Sequence, residues 1–174
     1  MRISSLLAVA SVAVLVAPAL AADGQQRARV VSVTGEVAYA PSAGAAYQPL
    51  EAGDRLAVGA RVRSGEGAGA VLALVTGTAV KIAANTEVSI SELRERERGA
   101  AGSKAKALLS LSNGTVSALI EPQRTRETDF EFQTPHGVAA ARGTFYAVTV
   151  ADGKTYVGVK KGRVGVVALE DAAR

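Results

Sequence analysis

Along most of this chain the apolar residues recur at every second position. Val31 and Val33 alternate with polar neighbours, Thr34-Gly35-Glu36 interrupts, and Val37 and Tyr39 resume the pattern. Val71 to Val75 runs into Thr76-Gly77-Thr78 and continues through Val80 and Ile82. Leu109 and Leu111 lead through Ser112-Asn113-Gly114 to Val116, Ala118 and Ile120, and Val157 and Val159 reach Val164 and Val166 across Lys160-Lys161-Gly162. A period of two sends successive side chains to opposite faces of a strand, one into a core and the other into water. Asn113-Gly114 and Asp152-Gly153 fall between such runs and read as hairpins, because both dipeptides tolerate positive φ. The pattern predicts an all-β single domain of about ten to twelve short strands, shaped as a short β-solenoid or an irregular sandwich. The phrase Val-x-Val…Gly-x-Val recurs at 31–37, 109–116 and 157–164, with irregular spacing that argues against an array of fixed period.

Two segments break the alternation. Residues 92–106, ELRERERGAAGSKAK, carry charges of both signs and two glycines, and are expected to leave the fold as a solvated, mobile excursion. At the start, Arg2 precedes an apolar run from Leu6 to Val16, and Ala19-Leu20-Ala21 is a small-x-small cleavage site. That order of parts predicts a signal peptide over 1–21, cut after Ala21, and a periplasmic or secreted protein. The alternative, an uncleaved anchor helix, is disfavoured by the short apolar run. A tail over 22–29, the β domain over 30–169 and a second tail over 170–174 complete the expected organisation.

Composition changes this picture little. Apolar residues make up 48% of the 174, and they are chiefly Val, Ala and Leu, with no tryptophan. Small side chains let strands and layers approach closely. The formal charge of +4 falls to +3 once Arg2 is removed, too small an excess to predict a nucleic-acid partner. The bases gather at Arg94, Arg96, Arg98, Lys104 and Lys106, at Arg124 and Arg126, and at Lys154, Lys160, Lys161 and Arg163. Glu92, Glu95 and Glu97 offset the first group. The rest suit a solvated surface, or contact with a membrane surface or an anionic envelope polymer.

The candidate chemistry is sparse. With no cysteine, a thiol nucleophile, a disulfide framework and a zinc finger are all excluded. His136 is the only histidine and sits in a Pro-His-Gly turn, where its ring is expected to be solvated. One histidine without a second imidazole or a thiolate does not make a transition-metal site, and no nucleophile elbow or His-Glu-x-x-His motif accompanies it. Gly65-Glu66-Gly67-Ala68-Gly69 lacks the Lys-Ser/Thr of a phosphate loop and reads as a turn. No catalytic, metal or cofactor residue is expected, and a hydrolase of envelope polymers is disfavoured for that reason.

The run Thr134-Pro135-His136-Gly137-Val138-Ala139-Ala140-Ala141-Arg142-Gly143-Thr144 closely resembles the signature of the FecR domain, and Tyr146, Val148 and Val150 form the strand expected after it. Val33-x-Gly35-x-Val37, the segment from Pro49 to Val62, and Leu109-x-Leu111…Gly114-x-Val116 are similar to other parts of that family's pattern, so the resemblance spans about residues 30–167. It implies an exported, non-enzymatic binding or scaffold module of the bacterial cell envelope. The alternative it implies is a signalling accessory that relays a receptor's state by protein contact. Members that regulate sigma factors carry a cytoplasmic segment and a membrane helix before this domain, whereas a signal peptide is expected here. The partner-binding candidates are Arg142, Gly143 and Thr144, with an envelope protein or anionic polymer as partner. The competing structural reading pairs Arg142 internally with Asp129 or Glu131.

Overall fold

The computed structural model describes residues 27–75, 77–97, 103–122 and 126–169, without the side chains of Glu97 and Arg126. The expected signal peptide, residues 22–26 of the first tail, Arg98, Arg124 and the 170–174 tail lie outside those residues. The described chain is all β. It forms β1 (Ala28–Thr34), β2 (Val37–Ala40), β3 (Gln48–Pro49), β4 (Arg55–Leu56), β5 (Arg61–Ser64), β6 (Gly69–Ala73) and β7 (Thr78–Ile82). Then come β8 (Glu87–Glu97), β9 (Ser103–Ile120), β10 (Arg126–Thr134), β11 (Gly137–Ala141), β12 (Phe145–Ala151), β13 (Lys154–Lys161) and β14 (Val164–Ala168). Fourteen strands thus replace the expected ten to twelve, and β1 begins two residues inside the expected tail.

All fourteen belong to one sheet, curled like half a barrel. The 18-residue strand β9 makes this possible. Its first half, to Asn113, pairs with β8 and β10, and its second half, from Gly114, pairs with β7 and β12. One arm therefore runs β3-β2-β5-β8-β9-β10-β11-β14, and the other β4-β1-β6-β7-β9-β12-β13. Stacked solenoid coils would need parallel neighbours throughout, but among the described ladders only β9–β10 is parallel. The two arms packed across one core are the closer match to the irregular sandwich.

The recurring Val-x-Val…Gly-x-Val phrase marks where the chain passes between arms. Thr34 to Val37 links β1 to β2, and Lys161 to Val164 links β13 to β14, each time without pairing the strands it joins. At Asn113-Gly114 the expected hairpin is absent, and β9 continues from one arm into the other. Asp152-Gly153 is a true hairpin, closing Ala151 against Lys154 with both central residues at positive φ.

The core lies between the arms. Val62, Ile90, Leu109, Phe130 and Phe132 reach it from one side, and Val30, Leu72, Val80, Val116 and Val148 from the other. Tyr146 closes the middle, its ring 6.3 Å from Phe130 and 5.6 Å from Phe132 in edge-on contacts. Burial, reinforced by the charge of Glu131, pushes the Tyr146 phenol well above its ordinary range.

The expected excursion at 92–106 is corrected. Residues 92–97 and 103–106 are strand, paired from Glu92↔Leu108 to Glu97↔Ser103. The alternation persists beneath the charges, since Leu93, Ala105 and Ala107 are buried while Glu92, Arg94, Lys104 and Lys106 take the outer face. Alanine is too weak an apolar signal to reveal this beside five arginines and lysines.

Candidate functional site

The signature run builds two corners of the sheet. At the first, Pro135 and His136 form a two-residue loop between β10 and β11, closed by the pair Thr134↔Gly137. The buried Thr134 hydroxyl donates to the Gly137 carbonyl at 3.0 Å, and accepts from the N–H groups of His136 and Gly137 at 3.2 and 3.1 Å. The Thr155 hydroxyl on β13 donates to it at 3.0 Å, and Thr155 Oγ1 lies 2.9 Å from His136 Nδ1. Which of the two atoms donates in this last bond follows the imidazole tautomer. The ring is thus tied to β13, which corrects the expectation of a solvated histidine. This hydrogen-bonded network joins the β10–β11 corner to β13 in the other arm. No described carboxylate orients the ring, and no described group of three His, Asp or Glu side chains is arranged to hold a metal ion.

Arg142-Gly143-Thr144 is the second corner, where the chain leaves β11 in one arm and enters β12 in the other. Gly143 has φ +61°, and a side chain there would press on Pro122. Thr144 is buried, and its Oγ1 lies 3.1 Å from the carbonyls of both Arg142 and Arg163. Its hydroxyl therefore bridges this crossover to the one between β13 and β14. The Thr144 carbonyl accepts from the Ile120 N–H at 3.0 Å.

The Arg142 side chain is exposed, and its guanidinium spans two carboxylates on β10. Nη1 is 2.7 Å from Glu127 Oε1, and Nη2 is 2.7 Å from Asp129 Oδ1. Lys104 on β9 reaches Asp129 at 3.1 Å and Glu127 at 3.7 Å, so two cations hold two anions on one face. Of the two alternatives expected from sequence, Asp129 and Glu131, the structure pairs Arg142 with Asp129, and Glu127 is its second partner. Next along this face, Glu92 binds Arg94 and Lys106, each at 2.9 Å, which holds the Lys106 ammonium above its ordinary range. In the first basic cluster Arg94, Lys104 and Lys106 are therefore each paired with a carboxylate.

The third cluster differs. No described carboxylate pairs with Lys154, Lys160, Lys161 or Arg163. Lys160 lies over the Phe145 ring at 5.3 Å, beside an irregularity in the β12–β13 register. These residues flank the two late edges, β13 of one arm and β14 of the other, each hydrogen-bonded to one neighbour only. Tyr156, Val159, Val166 and Val167 are roughly half or more exposed there. Between the edges runs an open groove of about 380 Å³, lined by Thr134, His136, Tyr156, Val157, Val166 and Ala168 among others. The alternation gave no warning of this surface. The available signal is Val164 to Ala168, an apolar run over both parities that a half-buried strand does not need.

The described chain is thus a curled all-β sheet with paired charges on one outer face, a bonded histidine, and open edges at β13 and β14. The chain belongs to the FecR family: the family model described as FecR protein matches residues 60–165, which include both corners and end two residues into β14. The match begins later than the resemblance traced from residue 30. Neither the comparison with curated proteins nor that with solved structures gives a match.

Proposed function

We propose that this protein is an exported, non-enzymatic binding module of the bacterial cell envelope that engages an acidic, extended segment of a partner protein along β13. One observation carries the reading. β13 is an eight-residue edge with an open backbone, and Lys154, Lys160 and Lys161 on it have no described carboxylate partner. An exposed edge adds a strand readily, and unpaired lysines select a strand bearing carboxylates. The same lysines oppose one another if two β13 strands pair antiparallel, which disfavours a second copy at this edge. The family assignment supports a second reading, in which the contact relays a receptor's state as FecR-type regulators do.

The test is crosslinking and pull-down of the tagged full-length protein from its own cells, alongside a Lys160→Glu/Lys161→Glu variant. The wild type is expected to recover an envelope protein that the variant loses almost entirely. Equal recovery by both would overturn the reading of β13. A membrane signalling protein or receptor as the captured partner favours the relay, and a structural envelope protein favours the scaffold. Capture of an anionic polymer alone overturns the protein-partner reading.

A further inference from the structure

We propose that β14 is a self-association edge, through which two copies of this chain pair antiparallel about a two-fold axis at Val166. The inference concerns a different edge from the one above and does not depend on it.

The backbone provides the first argument. The Leu169 N–H bonds the His136 carbonyl at 3.0 Å, and β11 and β14 are antiparallel, with Val138↔Val167 and Ala140↔Gly165 as pairs. Alternation along an antiparallel ladder then turns the amides and carbonyls of residues 165, 167 and 169 toward β11. Those of Val164, Val166 and Ala168 point away, into the open edge. A two-fold axis at Val166 sets Val166 opposite its own copy, and Val164 opposite Ala168 in both directions. Every outward group of β14 finds a partner in that one register.

The side chains agree. Val166 is 59% exposed and Val167 is 68% exposed, on opposite faces of the same strand. In the register above, Val166 packs on its copy at the groove face, and Val167 lies opposite Gly165, where no side chain obstructs it. Both faces of an otherwise wet apolar strand are covered by one operation, as an isologous interface requires.

Charge decides the occupant. β14 carries no charged residue and its ladder neighbour β11 carries none, so a charged guest strand finds no counter-ion on either strand, only Lys154 across the groove. A second β14 needs none. Arg163, next to β14 in the chain, lies opposite Leu169 of the other copy, and its own copy sits at the far end of the paired strands. That separation is about 20 Å at roughly 3.3 Å per residue, beyond the Debye length of about 10 Å in ordinary buffer. The edge also lacks the lysine, proline or bulge by which solitary edges are protected from pairing.

The experiment is sedimentation velocity over a concentration series, on protein expressed from the full-length gene, with Val166→Lys and Val166→Glu variants. The wild type is expected to show a dimer that dissociates on dilution. Each variant sets like charges face to face at the axis and weakens the dimer by at least about tenfold. An equimolar mixture of the two places Lys opposite Glu and restores the dimer. Denaturant unfolding of each variant confirms the fold, because Val166 is exposed in the single chain. A wild type monomeric at every concentration would overturn the proposal, as would a dimer indifferent to both variants. Failure of the mixture to recover would overturn the axis at Val166.

Discussion

The stretch from Thr134 to Thr144 and the stretch from Lys154 to Leu169 are close in sequence and opposite in character. The first spends its polar groups internally: Thr134 on its own hairpin, Thr144 on two crossovers, Arg142 on two carboxylates of β10. The second leaves lysines unpaired by any described carboxylate, valines in water and two backbone edges open. The family signature falls in the first. The threonines of the signature act within the fold, since their hydrogen-bonded corners fix how the arms meet. In the proposed function, contact with other molecules is left to the edges those corners hold in position, since function is read from sites rather than from folds.

The sharpest way to break this comparison is to damage the corner and watch the edge. A Cβ at Gly137 would come within 2.5 Å of the Val167 carbonyl oxygen and 3.2 Å of Ala168 Cα. No flexible side chain can yield there, so β14 must shift away from β11. Gly137→Val is expected to destabilise the fold by about 3 kcal/mol, measured by urea unfolding. It is also expected to abolish any property that depends on β14. A stable variant would mean that β14 docks loosely and that the corner does not hold the edge.

Thr134→Val keeps the shape and removes the hydroxyl. The His136 and Gly137 amides lose a side-chain acceptor, and Thr155 loses the oxygen that ties β13 to this hairpin. A loss of about 2 kcal/mol is expected, within the range for leaving buried donors unsatisfied. Amide exchange should quicken first at His136 and Gly137. A loss below about 0.5 kcal/mol would show that water from the groove substitutes for the hydroxyl, and that the corner is less tightly fastened than its distances suggest.

How much of this was legible from sequence depends on whether the deciding contact is local. The strands around Val71–Ile82 and Leu109–Ile120 are plain because Val, Ile and Leu mark one face at every second residue. The paired segment at 92–97 and 103–106 is hidden because the residues marking its inner face are largely alanines. Crossovers could not be told from hairpins, since Gly35, Gly114 and Gly162 give the same turn signal whether the chain doubles back or passes to the other arm. Distant pairing through β9 decides between them. For Arg142, Asp129 was legible as a partner and Glu127 was not. Glu127, Asp129 and Glu131 share a face of β10, and the register sets Glu131 opposite Ala140 and Phe130 opposite Ala141. The end of β11 therefore lies nearest Asp129, and the guanidinium reaches onward to Glu127 rather than back.

The smallest expected effect carries the most direct question, whether the signature arginine fastens the fold or meets a partner. Its ion pairs are short, but the side chain is 66% exposed, where solvent screens such pairs. Two pairs from one guanidinium put the site at the upper end for exposed contacts, so Arg142→Ala is expected to cost about 1 kcal/mol in unfolding. The loss should shrink in about 1 M sodium chloride, where the Debye length is about 3 Å. Lys104 remains to offset Glu127 and Asp129, which keeps the loss from growing larger. Unchanged unfolding together with lost capture of the envelope partner would turn Arg142 from fastening to contact. The corner would then share the role assigned here to the edges, and the division between the two stretches would fall.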